Sequence, residues 1–326
     1  MKNSDIDALM RDYAGEVPGA SVVVMRDDKV VFQKSYGGAN LEERVVATAQ
    51  THYRLASVTK QFTAAAILTL AERGKLSLDE SIRKYLPSLP SYADPITIRQ
   101  LLTHTSGLID YEDVIPEGTT TQLKDVDVLR LLEAQHPTYF APGTSYRYSN
   151  TGYAFLALIV ERASGLTFAD FLRDNIFLPL GMKTTVAHQE GVSTVGHRAY
   201  GYSRTDNSWT RTDQSNTSAV LGDGGIYTSV EELVHWLRAL DRGRFAEATV
   251  PRVDTDKRGT RYGFGWRIAD DVVSHTGETR GFRNALVRFP KERLSVVVLT
   301  NRNEGQAYET AMKIAGLFRD GTRMGK

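Results

Sequence analysis

Short, largely apolar stretches occur near both ends of the chain. Residues 20–25 and 29–33 lie on either side of Asp27 and Asp28, which predicts a β-hairpin. The later part of the sequence predicts strands over residues 262–268, 272–276, 284–289 and 295–299, followed by a helix over 307–318. Strands are therefore expected in both terminal regions.

Helical spacing dominates between these two regions. The apolar face of a predicted helix after residue 57 comprises Phe62, Ala65, Ala66, Thr69 and Leu70, and Gly74 is expected to cap it. Proline residues interrupt the helical pieces that follow. Residues 222–225 predict a tight turn, and Ser229 to Glu232 predicts a capping box that opens a helix over 233–240.

Strands at both ends around a helical middle predict an α/β (α+β) fold. We expect one antiparallel sheet built from both termini and flanked by helices, with an inserted, mostly helical domain. The predicted sheet domain comprises residues 1–75 and 216–326, and the predicted inserted domain comprises residues 76–215. A chain of 326 residues is long enough for one large domain or two interleaved ones.

Composition argues against several classes of protein. The 40 basic and 39 acidic residues leave a net charge of +1, so we expect neither nucleic acid nor an anionic membrane as a partner. The absence of cysteine rules out disulfides and thiolate catalysis. No apolar run approaches the roughly eighteen residues of a membrane-spanning helix.

The first ten residues lack the apolar core of a signal peptide. The chain as written is therefore expected in the cytoplasm, or in the periplasm or outside the cell if a leader was removed from it. Its seven histidines are scattered and no H-E-x-x-H motif occurs, so we expect no metal. We also expect no cofactor, and the oligomeric state is left open.

Ser57 and Lys60 are the strongest candidates for chemistry. Residues three apart share a helix face, so both side chains are expected to point into the same space at the start of a helix. A serine hydroxyl is a poor nucleophile until a base takes its proton. A lysine serves as that base where desolvation or a positive neighbour lowers its pKa.

The S-x-x-K spacing alone is weak evidence, because it also occurs at Ser81 and Lys84. That second match lies in the mixed-charge run 78–85, which is typical of a solvated surface. The apolar helix that follows Ser57 favours the first match.

Two further stretches could complete a site around Ser57. Tyr148 and Asn150 are predicted on a loop before an apolar helix; a tyrosine beside a lysine can pass protons, and an asparagine amide can position both the lysine and a substrate carbonyl. His275, Thr276, Gly277 and Glu278 end a predicted strand. The backbone N–H groups of Ser57 and of the residue after Gly277 could hold the oxyanion of a tetrahedral intermediate.

These motifs and their order resemble those of penicillin-recognising serine enzymes. The chain resembles the class C β-lactamase-like branch of that family, which includes D-alanyl-D-alanine carboxypeptidases and esterases. The resemblance extends from Gly19 to about Phe318. Besides the three stretches above, it rests on residues 100–108, 148–153, 179–182 and 222–225.

The resemblance implies a role for each candidate. Ser57 would be the acylated nucleophile, Lys60 and Tyr148 the proton-handling pair, and Asn150 the positioner of lysine and substrate. The strand wall would be His275, Thr276 and Gly277, and the oxyanion hole would be the N–H groups of Ser57 and Glu278. The site would lie in the cleft between the two domains.

His275 stands where β-lactamases of this family have lysine. A histidine with an ordinary pKa near 6.5 is mostly neutral at pH 7, so strong dependence on a substrate carboxylate is not expected. The sequence therefore favours an esterase or D,D-carboxypeptidase-like serine hydrolase, acting on a small molecule or short peptide, over an efficient β-lactamase. The alternative is a penicillin-binding receptor or sensor that is acylated without turnover.

His104 could be mistaken for a member of a catalytic triad. It lies among small polar residues in a predicted turn, where a histidine is more often satisfied by backbone groups. A structural role is therefore the favoured interpretation of His104. Core packing is likewise favoured for Trp236 on its predicted helix.

Overall fold

An eight-stranded antiparallel sheet is the frame of the molecule in the computed structural model, which describes residues 2–134 and 138–319. Its strands, in spatial order, are β10 (Val253–Asp254), β11 (Arg261–Tyr262), β12 (Arg267–Ala269), β13 (Val272–Thr279), β14 (Phe282–Phe289), β15 (Leu294–Thr300), β1 (Ala20–Arg26) and β2 (Lys29–Tyr36). Strands from both ends of the chain thus form one sheet.

Smaller sheets and helices surround this frame. The short strands are β3 (Gly38–Asn40), β4 (Val45–Val46), β5 (Tyr53–Arg54), β6 (Val186–Ala187), β7 (Tyr202–Thr205), β8 (Ser208–Arg211) and β9 (Ile226–Thr228). The helices are α1 (Lys2–Leu9), α2 (Lys60–Glu72), α3 (Ile98–Leu102), α4 (Asp125–Glu133), α5 (Asn150–Ser164), α6 (Phe168–Leu172), α7 (Leu178–Leu180), α8 (Leu221–Gly224), α9 (Val230–Asp241) and α10 (Ala307–Phe318).

The pairing of β1 with β15 joins the two ends of the chain near one edge of the sheet. Val22 lies opposite Val298, and Val24 lies opposite Val296. All four valines are fully buried, as expected for β-branched residues in a strand that is covered on both faces.

Helices cover the two faces of the sheet with separate apolar cores. Val22 and Val24 pack in one cluster with residues of α1 and α10, such as Ile314. The neighbouring Val23 faces the opposite side and belongs to the larger cluster that includes α2, α5 and α9. The period of two along β1 thus assigns successive side chains to different cores.

The fold class predicted from the sequence is confirmed, since a large antiparallel sheet is flanked by helices. The hairpin of β1 and β2 and the closing helix Ala307–Phe318 also match their predictions. The division into residues 1–75 with 216–326 and residues 76–215 stays a prediction. No helix in the described ranges is both long enough and apolar enough to cross a bilayer.

Several local predictions were wrong. The strand predicted over residues 262–268 is two strands, β11 and β12, because Gly265 has a φ of +76° and turns the chain between them. Residues 222–225 lie mostly within the helical turn α8 rather than a tight turn. Asn150 is the first residue of α5, not part of a loop.

The capping box predicted at Ser229 is only half formed. Ser229 accepts a hydrogen bond from the Glu232 N–H, so α9 begins at Val230 rather than at residue 233. The Glu232 carboxylate instead accepts bonds from the backbone N–H groups of Thr184 and Thr185, at 2.9 and 3.1 Å. A tertiary contact therefore replaces the local one.

Candidate active site

Ser57 lies in a short 3₁₀ turn, Ala56–Thr59, that runs directly into α2. Its side chain is partly exposed, whereas the residues on either side of it are buried. Ala56 has a φ of +49°, an uncommon conformation for a residue with a Cβ atom. The turn thus presents one hydroxyl at a surface that is otherwise closed.

Neighbouring strands hold this turn in place. Leu55 donates its N–H to the Ile226 carbonyl at 2.8 Å, and the Asn284 amide donates to the Arg54 carbonyl at 2.8 Å. Gly277 lies so close that a Cβ atom there would be 2.0 Å from the Leu55 oxygen and 3.2 Å from the Ser57 nitrogen. Only glycine allows β13 to approach the serine turn in this way.

Lys60 is fully buried and makes three polar contacts. Its Nζ atom donates to Ser57 Oγ at 2.9 Å, to Asn150 Oδ1 at 2.8 Å and to the Asp223 carbonyl at 3.0 Å. The structure therefore brings Ser57, Lys60 and Asn150 together. The serine and lysine were predicted to share one face, and they do.

Asn150 connects the lysine to an acidic turn. Its backbone N–H donates to Asp110 Oδ2 at 2.7 Å, and its Nδ2 donates to Glu112 Oε1 at 3.1 Å. Burial, and then the charges of Asp223 and Asp110, raise the pKa of Glu112 to about 7. The Asn150 amide is oriented by Lys60 on one side and by Glu112 on the other.

Tyr148 lies beside the lysine, although its hydroxyl makes no hydrogen bond to Ser57. The Lys60 Nζ atom is 5.0 Å from the centre of the Tyr148 ring. The Tyr148 hydroxyl oxygen is buried and has no hydrogen-bond partner among the residues that the structure describes. Tyr148 is therefore close to Lys60, but its hydroxyl is not hydrogen bonded to Ser57, Lys60 or Asn150.

His275 is buried in the wall of the site. Its Nε2 atom is 3.0 Å from the Tyr262 hydroxyl, and its Nδ1 atom is 2.6 Å from the Thr276 carbonyl oxygen. Burial, and then the charges of Arg267 and Lys60, hold the pKa of His275 well below its usual range. His275 is therefore neutral at pH 7.

Thr276 has a cationic neighbour instead. Arg267 on β12 directs its Nη1 atom to Thr276 Oγ1 at 3.5 Å, and its guanidinium carbon lies 5.3 Å from the centre of the Tyr148 ring. Glu278, the last predicted site residue, has an exposed carboxylate whose Oε2 atom is 3.4 Å from Arg283 Nε. The part of Glu278 that remains a candidate for the site is its backbone N–H.

The second S-x-x-K match forms no such cluster. Ser81 Oγ accepts a hydrogen bond from the Arg83 N–H, and Lys84 pairs with Glu80 at 2.7 Å. The interpretation of this run as a solvated face holds for Lys84 and is wrong for Ile82 and Tyr85, which are buried.

Sequence reasoning missed three charged residues that contact candidate site residues: Arg267, Glu112 and Asp110. Arg267 belongs to no recognised motif, although it is the only charged residue in the predicted strand 262–268. Glu112 gave no signal that distinguishes it from other loop carboxylates. Across residues 2–134 and 138–319, no three His, Cys, Asp or Glu residues are grouped so as to hold a metal ion.

A family model and several known proteins match this chain. The model described as Beta-lactamase matches residues 6–318. Penicillin-binding protein 4* of Bacillus subtilis (strain 168) is 31% identical, and the alignment covers 90% of this chain and 70% of that protein. A D-aminopeptidase of Gluconobacter oxydans (strain 621H) is 30% identical over 95% of this chain, which spans only 60% of that relative.

Solved structures give the same picture. A penicillin-binding protein from Bacillus halodurans is 28% identical, with a TM-score of 0.85, and the match covers 96% of this chain and 100% of that one. An octameric penicillin-binding protein homologue from Pyrococcus abyssi is 27% identical, with a TM-score of 0.84, covering 97% of this chain and 76% of that one.

Proposed function

The chain belongs to the β-lactamase family, and from this premise we propose that it is a serine hydrolase that works through an acyl-enzyme on esters, D-amino-acid peptides or amides, or β-lactams. The observation that carries the proposal is the 2.9 Å contact between Ser57 Oγ and Nζ of the fully buried Lys60. Burying a lysine sacrifices its hydration, so its placement against a serine hydroxyl supports a chemical role.

The proposed reaction has two halves. Ser57 Oγ attacks the substrate carbonyl carbon, while the oxygen of Tyr148, stabilised by the Lys60 ammonium, accepts the hydroxyl proton. The bond to the leaving group then breaks as Tyr148 returns that proton to the departing nitrogen or oxygen. Water attacks the resulting ester, releases the acid and restores the Ser57 hydroxyl.

The oxyanion of both tetrahedral intermediates would be held by the N–H groups of Ser57 and Glu278. The close approach of Gly277 to the Ser57 nitrogen supports this pairing, because it brings β13 alongside the turn. One such donor is worth about 2.7–4 kcal/mol in the transition state. Asn150 would position Lys60 and the substrate carbonyl.

The neutral His275 favours ester or D-amino-acid peptide hydrolysis over efficient β-lactam hydrolysis. The cationic side chain that contacts Thr276 is Arg267, which we propose as the contact for any substrate carboxylate.

A cavity of about 570 Å³ borders Arg267 and Thr276. It is also lined by the cations Lys257 and Arg258 and by the carboxylates Asp256, Asp270 and Glu309. Mixed charges of this kind suit a substrate that carries both an ammonium and a carboxylate, such as a short D-amino-acid peptide. The similarity to D-aminopeptidases supports the same substrate class.

The test follows product release and protein mass together. The protein is incubated with p-nitrophenyl acetate, nitrocefin or a D-alanyl-D-alanine peptide. Sustained release from the ester or peptide, exceeding that from nitrocefin, is expected. A single burst with a stable increase in mass would instead identify the receptor that is acylated without turnover.

A matched pair of variants tests the nucleophile. Ser57→Ala should abolish labelling by a fluorophosphonate, whereas Ser81→Ala, in the second S-x-x-K match, should leave it intact. Labelling that survives in Ser57→Ala and disappears in Ser81→Ala would refute the proposal.

A further inference from the structure

His104 contacts the chain on both sides of Tyr148. Its backbone carbonyl accepts a hydrogen bond from the Arg147 N–H at 3.0 Å. Its ring Nδ1 atom accepts one from the Ser149 N–H at 3.1 Å. One residue, 44 positions earlier in the chain, thus holds the backbone before and after the tyrosine.

The His104 ring also packs against the Tyr148 ring. Their centres are 4.3 Å apart and their planes are 33° apart, and the imidazole contacts Tyr153 and Tyr262 as well. His104 is 1% exposed, so these contacts enclose it. The backbone bonds and the stacked ring together restrict both the position and the tilt of the Tyr148 side chain.

The Ser149 hydrogen bond requires a neutral imidazole. Since Nδ1 accepts the hydrogen bond from the Ser149 N–H, the single ring proton lies on Nε2. Burial, and then the charges of Lys60, His275 and Arg267, hold the pKa of His104 well below its usual range. The acceptor is therefore present at neutral pH.

The loop that carries His104 is itself well anchored. His104 has a φ of +58°, a conformation that is uncommon for residues other than glycine. At Gly107 a Cβ atom would lie 2.2 Å from the Phe140 oxygen, so the loop packs tightly against the segment before Tyr148. The motif at residues 100–108, which the mechanism above does not use, comprises the end of α3 and this loop.

From these contacts we propose that His104 is a positioning residue, which sets the Tyr148 phenol for proton transfer by accepting the Ser149 N–H at Nδ1. The inference rests on the proposed function, because it requires Tyr148 to act in the reaction. His104 itself touches neither Ser57 nor the reacting carbonyl.

The experiment compares His104→Asn with His104→Gln, each in wild-type and Tyr148→Phe backgrounds. Asparagine places an amide oxygen where Nδ1 lies, whereas glutamine moves its amide one carbon further out. The readouts are the burst rate constant for acylation by p-nitrophenyl acetate, the KM and the melting temperature. If His104→Gln does not fold, His104→Phe replaces it, since phenylalanine keeps a ring and has no acceptor.

We expect His104→Asn to acylate within about threefold of wild type and His104→Gln at least tenfold more slowly, both with little change in KM. In the Tyr148→Phe background the two variants should differ by less than twofold, because the residue through which His104 acts is gone. Equal rates for Asn and Gln in the wild-type background, or the same difference in both backgrounds, would overturn the inference. The proposed function is judged separately by Ser57→Ala.

Discussion

Lys60 determines which residue can act as the base. An ammonium has three N–H groups and no lone pair, and the three contacts of Lys60 use all three groups. In its ammonium form, Lys60 therefore has no lone pair to accept the Ser57 proton. The phenol of Tyr148 lies beside it, so we assign the proton to Tyr148 and the stabilisation of its phenolate to Lys60.

Replacing Lys60 tests this assignment. Lys60→Met keeps the length of the side chain and removes its charge, so acylation by p-nitrophenyl acetate should fall by about 10²–10⁴-fold. Lys84→Met, which alters the exposed lysine of the second S-x-x-K match, should leave the rate unchanged. Circular dichroism checks that both variants fold. A Lys60→Met rate within threefold of wild type would remove Lys60 from the mechanism.

Gly277 tests how closely β13 must approach the serine turn. In Gly277→Ala the added Cβ atom would meet the Leu55 oxygen at 2.0 Å, so the turn must shift and kcat should fall at least tenfold. Gly316→Ala is the matched control, because nothing lies within 4 Å of its Cβ position on α10. That variant should keep its kcat and gain about 0.8–1 kcal/mol of stability. Steady-state kinetics and urea unfolding measure both effects.

The neutral state of His275 predicts a flat pH response. Because its pKa is lowered, His275 does not change charge between pH 6 and 8. The ratio of kcat/KM for a carboxylate-bearing ester to that for a neutral ester should stay constant over this range. Arg267→Met should lower the ratio by about 10- to 100-fold, as expected for loss of a charged hydrogen bond. A step in the wild-type ratio near pH 6.5 would show instead that His275 carries the charge.

At the scale of elements, the short helix α8 links the lysine to the helical layer. The Asp223 carbonyl accepts from Lys60, and the Gly222 carbonyl accepts from Thr63 Oγ1 at 2.7 Å. The N-terminus of α8 is capped by the buried Asp125 on α4, whose carboxylate accepts from the Leu221 and Gly222 N–H groups. Four residues of helix thus connect α4, α2 and the site.

Asp125 gives this link a pH dependence. Burial is the main cause that raises the pKa of Asp125 to about 7 in the folded protein. Between about pH 4 and 7 this carboxyl is therefore ionised in the unfolded chain and protonated in the folded protein. Its contribution to the free energy of unfolding falls as pH rises over this range. Asparagine does not titrate. The stability of wild type minus that of Asp125→Asn should therefore decrease from pH 5 to pH 8.

Urea unfolding at the two pH values measures this difference. If the stability of wild type minus that of Asp125→Asn instead increased from pH 5 to pH 8, the two N–H donors would outweigh burial in setting the pKa of Asp125.

Elements with a strong local pattern were predictable from the sequence. The closing helix has the predicted bounds 307–318, because its buried face repeats at helical spacing. The strand over 262–268 was mispredicted because its apolar residues are typical of one continuous strand, and nothing in the sequence shows that Gly265 has a positive φ. Asn150 was placed on a loop because the preceding turn residues obscured the start of α5.

The site was predictable only in part, for a similar reason. Ser57 and Lys60 are three positions apart, so local geometry brings them together. Arg267 and Glu112 reach the site through tertiary packing alone, and no spacing along the chain identifies them.

At the scale of the whole molecule, α10 protects one face of the sheet. Ile314 is fully buried in the cluster formed by α1, α10 and the central strands. Ile314→Ala should lower the free energy of unfolding by about 2–5 kcal/mol, because it leaves a cavity in this core. Lys313→Ala, at the exposed neighbouring position, should have little effect. Urea unfolding gives both values, and a loss below 0.5 kcal/mol for Ile314→Ala would contradict this role of α10.

The β1–β15 pairing also orders events during synthesis. Arg26 leaves the ribosome early and Leu294 late, so the hydrophobic strand Ala20–Arg26 must wait for its partner while the intervening chain is translated. The serine turn waits as well, because Gly277 and Asn284 belong to that late segment. A nascent chain therefore carries Ser57, the proposed nucleophile, before the strands that hold its turn, and we expect a chain stalled before residue 294 to be inactive and prone to aggregation.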